Sequence, residues 1–221
     1  MGWSGNKNSD GGGDSRRGYH HGNLREALIQ AALDLIKAKG PAGFTFAETA
    51  RSAGVSPAAP YRHFRDRDAL MADVAQQGFE RFEQFLTTAW NDARPDALTA
   101  LGNIGKAYLA FARTEPAYYS AMFEAGIPPG DHPELRLAGE RAFAIVRRAA
   151  EALSATLPGK PPAMMMALHI WALAHGIASL FARGDSGRRT LPMSPEDLLE
   201  AAVLIYLQGL GHPGAGTGAG S

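Results

Sequence analysis

The sequence predicts an all-α protein. Apolar residues recur at intervals of three and four from about residue 23 to about residue 210, which is the helical period. No long stretch alternates Val, Ile and Thr with polar residues, as a half-buried strand would. Connections rich in Gly and Pro separate the periodic segments. The 221 residues suffice for one ordinary domain, or for a small domain followed by a larger one.

The two ends of the chain differ in composition from the rest. Residues 1–18 are rich in Gly, Ser, Asn and Asp, and they contain no hydrophobic stretch of the kind found in a signal peptide. Residues 211–221 are rich in Gly. We therefore expect a disordered arm at the start and a flexible tail at the end.

The first helix is bounded by recognisable signals. Asn23 is a good N-cap, and Glu26 follows it three residues later in a position typical of a capping box. Gly40 and Pro41 end the apolar stripe. The sequence predicts a helix between these limits.

Two short helices are expected next. Thr45 and Glu48 form a second capping-box pattern, and Gly54 ends that helix where a left-handed residue is needed. Ser56 is then the expected N-cap and Pro57 the first residue of a helix over residues 57–64. Pro60 lies one step deeper, so that two prolines restrict the backbone of this short helix in advance.

The remaining helices follow from periodicity and breakers. They are expected at about residues 67–90, 96–114, 116–125, 133–156, 162–183 and 195–210.

Two short helices joined by a tight, glycine-containing turn form a helix-turn-helix, here over residues 45–64. In that motif the second helix enters the DNA major groove. Small, hydroxyl, aromatic and basic side chains in and before this helix can contact base edges and phosphates. The expected DNA contacts are Thr45, Ser56, Ala58, Ala59, Tyr61, Arg62, His63 and Arg67.

Charge is distributed unevenly along a chain whose formal net charge is zero. Residues 15–70 contain nine Lys or Arg against five Asp or Glu, and the rest of the chain has the opposite surplus. This asymmetry favours an anionic partner for the first third. Arg16 and Arg17 lie on the arm, where they can follow the DNA backbone or enter the minor groove.

The segments "GYHHGNLREALIQAALDLIKAKG" and "FTFAETARSAGVSPAAPYRHFRDRDALM" resemble the DNA-binding domain of the TetR family of bacterial transcriptional regulators. The resemblance runs from about Tyr19 to Val74 and implies a three-helix DNA-binding domain over residues 19–74. Arg67 stands where the family commonly has lysine, and Phe46-Ala47 stand where leucine and arginine are frequent. A basic contact from position 47 is therefore absent.

The second part, residues 75–210, resembles the family's ligand-binding and dimerisation domain. "IWALAHGIASL", with Trp171, His175 and Gly176, resembles the version called the WHG domain. The resemblance implies a helical domain whose last two helices pair with those of a second subunit. It also implies a cytoplasmic, ligand-responsive regulator, which we expect to be a repressor that binds a palindromic operator as a homodimer.

Residues 163–182 contain no Asp, Glu, Lys or Arg and are long enough to cross a bilayer. A helix that is apolar all round can equally be buried in a core or between subunits, which we favour. A membrane-attached helical protein is one alternative. A constitutive DNA-binding dimer without an effector is another, and an internal cavity of about 300 Å³ or more would argue against it.

Most aromatic residues are expected in the core, and a few, with methionine and histidine, are expected to line a pocket for a small, largely apolar effector. These pocket residues are Phe82, Phe111, Tyr118, Phe123, Met165, Trp171 and His175. The chain has no cysteine, which excludes disulfides and cysteine zinc sites. His169 and His175 are too far apart around a helix to share a metal. No motif indicates catalysis, so we expect no enzyme, no cofactor and no metal.

Overall fold

The computed structural model describes residues 24–181 and 192–211, and the regular elements in these ranges are all helical. The all-α prediction is confirmed. The predicted arm with Arg16 and Arg17, the Asn23 cap and residues 212–221 lie outside the described residues. The helices are α1 Leu24–Lys39, α2 Phe46–Ser52, α3 Arg67–Trp90, α4 Ala97–Thr114, α5 Pro116–Phe123, α6 Pro133–Thr156, α7 Ala163–Phe181 and α8 Pro195–Gly211, with 3-10 turns at Ala59–Arg62, Asn91–Ala93 and Pro129–Asp131.

The loop from α1 to α2 follows its sequence signals. Gly40 adopts a left-handed φ of 78°, and its N–H donates to the carbonyl of Ile36 at 2.8 Å. The Thr45 side chain accepts from the N–H of Glu48, whose carboxylate accepts from the N–H of Thr45. This reciprocal capping box, as predicted, starts α2.

We call α1, α2, residues 53–66 and the first two turns of α3 the head. Its core contains Leu28 and Leu70 together with the buried rings of Phe44 and Phe64. Gly54 turns the chain with a left-handed φ of 71°, and the N–H of Val55 returns to the carbonyl of Ala50. A small helical unit with its own apolar centre results.

The helix α3 connects the head to the second helical bundle. Asp66 caps it by accepting from the N–H of Ala69, and its 24 residues span about 36 Å. It packs along α4, α5 and α6. At Gly78 a Cβ atom would lie only 2.8 Å from Sδ of Met122. The missing side chain at Gly78 therefore permits the close approach of α3 and α5.

The second bundle contains α4 to α8. Its core is formed by inward faces of α3, α4, α6 and α7, whereas α8 contributes Leu199 as its buried residue within the described range. The helix α7 is, within the described residues, the one helix long and apolar enough to cross a membrane, and a third of its most apolar window is buried. It contacts both α6 and α8.

Candidate nucleic-acid interface and ligand site

The segment 56–64 is a short 3-10 turn and not the predicted helix over residues 57–64. The helical part is Ala59–Arg62, and the N–H of Ala59 donates to the carbonyl of Ser56 at 3.0 Å. Pro57 and Pro60 have no N–H, so α-helical bonds from these residues cannot form. Without a donor at Pro60, the carbonyl of Ser56 accepts from the N–H of Ala59 instead, which is a 3-10 bond.

The same segment presents polar side chains outward from a buried base. Pro60 and Phe64 are buried, while the side chains of Tyr61, Arg62 and His63 between them are exposed. Tyr61 is 63% exposed, and its ring meets that of Phe46 edge to face at 5.0 Å. The core thus holds the segment from beneath and leaves its outer face open.

The small residues of the segment lie on its accessible side. Ser56 and Ala58 are exposed, and Ala59 is half-buried. Ser56 does not provide the predicted N-cap, because Ala58 occupies that position and no side chain caps the turn. The turn starts from the backbone of Ser56, whose carbonyl accepts from the N–H of Ala59, and the Ser56 hydroxyl is not required.

Thr45 is exposed at the start of α2, where both of its donors are already engaged. Its N–H donates to Oε2 of Glu48 at 2.8 Å, and its hydroxyl lies 3.1 Å from the same oxygen. Lys39 donates to Oε1 of Glu48 at 2.7 Å, and this bond, with those from Thr45, lowers the pKa of Glu48 to about 2. A phosphate at Thr45 would therefore have to displace a firmly ionised carboxylate.

Arg67 has a structural role that the sequence did not indicate. Its Nε donates to the carbonyl of Phe44 at 3.1 Å, and a terminal nitrogen donates to the carbonyl of Pro41. The guanidinium also lies 4.9 Å from the centroid of the Phe44 ring. Arg67 thereby ties the start of α3 to the loop between α1 and α2.

Replacing Arg67 by lysine is expected to lower the free energy of unfolding by about 1–3 kcal/mol, because lysine keeps the charge but cannot make both carbonyl bonds. Urea denaturation followed by circular dichroism measures the change. Arg65→Lys is the matched control, since the Arg65 side chain is 84% exposed. An Arg67→Lys protein as stable as the wild type would show that the two carbonyl bonds contribute little.

The predicted pocket residues do not form one lining. Phe82 and Phe111 are fully buried, and their rings pack on each other at 4.9 Å. Tyr118 is buried with Arg81 stacked over its ring, whereas Met165 is an exposed residue of α7. Phe123, Trp171 and His175 do cluster with one another. Phe82 and Phe111 therefore belong to the packed aromatic core and do not line a pocket.

A small polar network lies within this aromatic cluster. The hydroxyls of Tyr108 and Tyr119 lie 3.0 and 3.1 Å from Nδ1 of His175, and Tyr119 also reaches Oγ of Ser179 at 3.3 Å. Burial lowers the pKa of His175, although the nearby carboxylate of Glu124 opposes this shift. Burial also raises the pKa of Tyr108. Both shifts favour the neutral forms of His175 and Tyr108.

His175 is expected to make the protein less stable in mild acid. Its pKa is lower in the folded state than the ordinary value of about 6.5, so the unfolded state binds the proton more readily. The stabilisation is complete above about pH 6.5 and is lost as the pH falls below that value. Urea denaturation at several pH values measures how the free energy of unfolding changes with pH. Below about pH 6.5 this free energy should fall less steeply for His175→Gln than for His132→Gln, and equal pH dependence in the two variants would contradict the assignment.

A cleft of about 300 Å³ lies between α4 and α8, with Ile170 of α7 at its base. None of the seven predicted pocket residues lines it. The sequence contained an overlooked signal for it in Gly102 and Gly105, which place two small residues on one face of α4. Its size reaches the lower limit of typical small-molecule sites.

Comparison with known proteins agrees with the fold and the helix-turn-helix. The sequence profile described as "Bacterial regulatory proteins, tetR family" matches residues 28–74. The profile described as "Tetracyclin repressor-like, C-terminal domain" matches residues 101–206. A curated relative, the uncharacterized HTH-type transcriptional regulator YobS of Bacillus subtilis, is 24% identical over 45% of this chain. The chain spans about half, 51%, of that relative's length.

Solved structures resemble most of the chain. A protein of unknown function from Rhodococcus sp. RHA1 is 32% identical, with a TM-score of 0.73 over 89% of this chain and 100% of its own. The TetR family regulator PfmR from Thermus thermophilus is 16% identical, with a TM-score of 0.65 over 83% of this chain and 98% of its own. The profiles that match both parts of the chain, together with this shared fold, show that the protein belongs to the TetR family of bacterial transcriptional regulators.

Proposed function

We propose that this protein is a ligand-responsive repressor that binds a palindromic operator as a homodimer in the cytoplasm. The observation that carries the proposal is the exposed row Tyr61, Arg62 and His63, held between the buried Pro60 and Phe64. The rigid base reduces the freedom lost on binding, and the exposed groups suit phosphates and base edges. The proposed DNA contacts are Thr45, Ser56, Ala58, Ala59, Tyr61, Arg62, His63 and Arg67, with Arg16 and Arg17 of the arm.

The exposed groups of the head differ in how available they are. Arg62 forms no ion pair with any other described residue, whereas Arg65 pairs with Asp66 at 2.7 Å. Tyr61 offers a hydroxyl and His63 a ring nitrogen on either side of Arg62. We therefore assign the largest contribution to Arg62 and a smaller, conditional one to Thr45 and Arg67, whose donors are engaged within the head.

A homodimer is supported by an apolar face on the last two helices. Met164, Leu168 and Leu180 of α7 are at least half exposed, and Ile205 of α8 is 69% exposed. Exposed apolar side chains on neighbouring helices are typical of an interface between subunits. The same face gives α7 a partner other than lipid, which is why we favour the dimer over membrane attachment.

We further assign the second domain to the WHG type and propose a small, largely apolar effector bound within it. Trp171 and His175 of α7 both contact the ring of Phe123, and Gly176 follows them on the exposed side of the helix. The cleft of about 300 Å³ is open at one end and is not an internal cavity, but it offers space for such an effector. An effector would act by binding more tightly to the arrangement of heads that fits DNA poorly.

A salt series tests the proposed DNA binding. Labelled DNA from upstream of the gene is titrated with the protein, and binding is followed by fluorescence anisotropy. With six to ten phosphate contacts, affinity should fall by about 10³–10⁵ between 50 and 200 mM salt. An affinity that does not depend on salt, or no binding by the folded protein, would overturn the proposal.

The oligomeric state is measured on the same preparation. Light scattering should give a mass of twice the 23.4 kDa chain without detergent. The bound protein should then protect two half-sites on the operator, about one helical turn, roughly 34–36 Å, or a multiple apart. A monomer, or a protein that requires detergent, would contradict the proposed homodimer.

A further inference from the structure

The cleft between α4 and α8 is closed at one end and open at the other. Arg113 of α4 pairs with Glu196 of α8 at 2.8 Å. About one turn along α8 from Glu196, a Cβ atom on Gly105 would lie 2.9 Å from Cδ2 of Leu199, so the two helices touch there. Contact at this end holds α8 against α4.

Away from this end, the cleft contains open space. A Cβ atom on Gly102 would meet nothing within 4 Å, although Gly102 lies only three residues before Gly105. Leu98 and Leu204 also line the cleft, and both are exposed. Apolar side chains and glycine thus border a volume of about 300 Å³ that no described side chain fills.

The charges around the cleft balance. Lys106 of α4 and Glu200 of α8 line it, as does Glu196, which is neutralised by Arg113. A ligand with a net charge would meet no surplus of the opposite sign, and a neutral molecule fits this rim best.

One polar group of the lining is available for recognition. The Thr99 hydroxyl is engaged with Oδ2 of Asp96 at 2.7 Å. Asn103 lies one turn further along the same rim and makes no side-chain hydrogen bond with another described residue. Its amide can donate one hydrogen bond and accept another.

We propose that the cleft between α4 and α8 binds a neutral, largely apolar small molecule with one hydrogen-bonding group that faces Asn103. The inference rests on the proposed function, because it makes this cleft the effector site of the repressor. It also places the effector away from the cluster of Phe123, Trp171 and His175. A bound molecule would separate α8 from α4 at the open end, and α8 belongs to the proposed dimer face.

The probe is N-phenyl-1-naphthylamine, a neutral aromatic amine whose fluorescence rises in apolar surroundings. We expect saturable binding to the full-length protein, with one site per chain. The anionic 1-anilinonaphthalene-8-sulfonate has the same ring skeleton and should bind at least tenfold more weakly. Equal or tighter binding of the sulfonate would overturn the neutral ligand class.

Gly102→Phe fills the open space and should weaken binding of the neutral probe at least tenfold. Gly102→Ala is the matched control, because it also raises helix propensity but leaves most of the volume empty. Both proteins should unfold at or above the wild-type temperature. Undiminished binding by a folded Gly102→Phe protein would overturn the site, and so would the absence of binding by the wild type.

The contact to Asn103 has its own test. Asn103→Leu should weaken the binding of N-phenyl-1-naphthylamine, which has an N–H group. The affinity for 1-phenylnaphthalene, which lacks this group, should change by less than about twofold. Equal losses for the two probes would contradict the assigned hydrogen bond.

Operator binding is measured in the same titrations, so that the two proposals can fail separately. Loss of probe binding in Gly102→Phe supports the cleft site whether or not the probe releases DNA. If N-phenyl-1-naphthylamine released the wild-type protein and Gly102→Phe equally from the operator, a ligand-responsive repressor would be supported and the cleft would be overturned as its effector site.

Discussion

Arg62→Ala is expected to weaken operator binding about ten- to hundredfold without lowering the free energy of unfolding. Arg62 is exposed at the end of the 3-10 turn and pairs with no other described residue, so its removal leaves no buried group unsatisfied. One charge-assisted hydrogen bond, or a bidentate contact to a base, contributes about 1.5–3 kcal/mol. Each 1.4 kcal/mol corresponds to about tenfold in affinity.

Fluorescence anisotropy at one fixed salt concentration measures this loss. Arg148→Ala is the matched control, because Arg148 is an exposed arginine of α6 and the same charge is removed far from the head. Binding should change by less than about threefold in the control. Equal losses in the two variants would indicate a general charge effect and contradict a contact at the 56–64 segment.

Phe82→Ala is expected to lower the free energy of unfolding by about 3–5 kcal/mol. The ring is 1% exposed and lies 4.9 Å from the ring of Tyr108, 4.9 Å from that of Phe111 and 5.8 Å from that of Trp171. Its removal leaves a cavity where α3, α4 and α7 meet and removes three aromatic contacts at once. For a protein of ordinary stability this is a large fraction of the total.

Urea denaturation is the appropriate measurement, and the slope of the free energy of unfolding against urea concentration should not change. Leu137→Ala on α6 is the control, because Leu137 is 46% exposed, and its substitution should change stability by less than about 1 kcal/mol. If Phe82→Ala lost less than 1 kcal/mol, Phe82 would border space and not a packed core. It would then return to the set of pocket residues.

The elements with local chemical signals could be predicted from the sequence. Thr45 and Glu48 predict the start of α2, because a capping box needs only two residues three positions apart. Gly40 and Gly54 mark left-handed turns because side chains are strained there. The exposure of Tyr61 and His63 also followed, since a four-residue turn cannot bury every face.

What the sequence did not predict depends on contacts between distant residues. The role of Arg67 needs the carbonyls of Pro41 and Phe44, and nothing in the pattern around position 67 indicates that they lie within reach. The 3-10 turn needed Pro60 to be considered as a missing donor to the carbonyl of Ser56. The α4–α8 cleft requires the distance between two helices about 100 residues apart in the chain, which periodicity does not determine.

Because this chain contains no cysteine, a single introduced thiol can report directly whether the 56–64 segment lies on DNA. Ala58→Cys places a single thiol on the exposed side of the 56–64 segment, and an attached iron chelate cleaves any DNA close to it. We predict two groups of cuts on the operator, separated by roughly 34–36 Å or a multiple, as expected for two heads in major grooves. The same reagent on Thr88→Cys, an exposed position near the far end of α3, should give none. No cleavage from a folded Ala58→Cys protein bound to its operator, or equal cleavage from both positions, would contradict the placement of the 56–64 segment in the major groove.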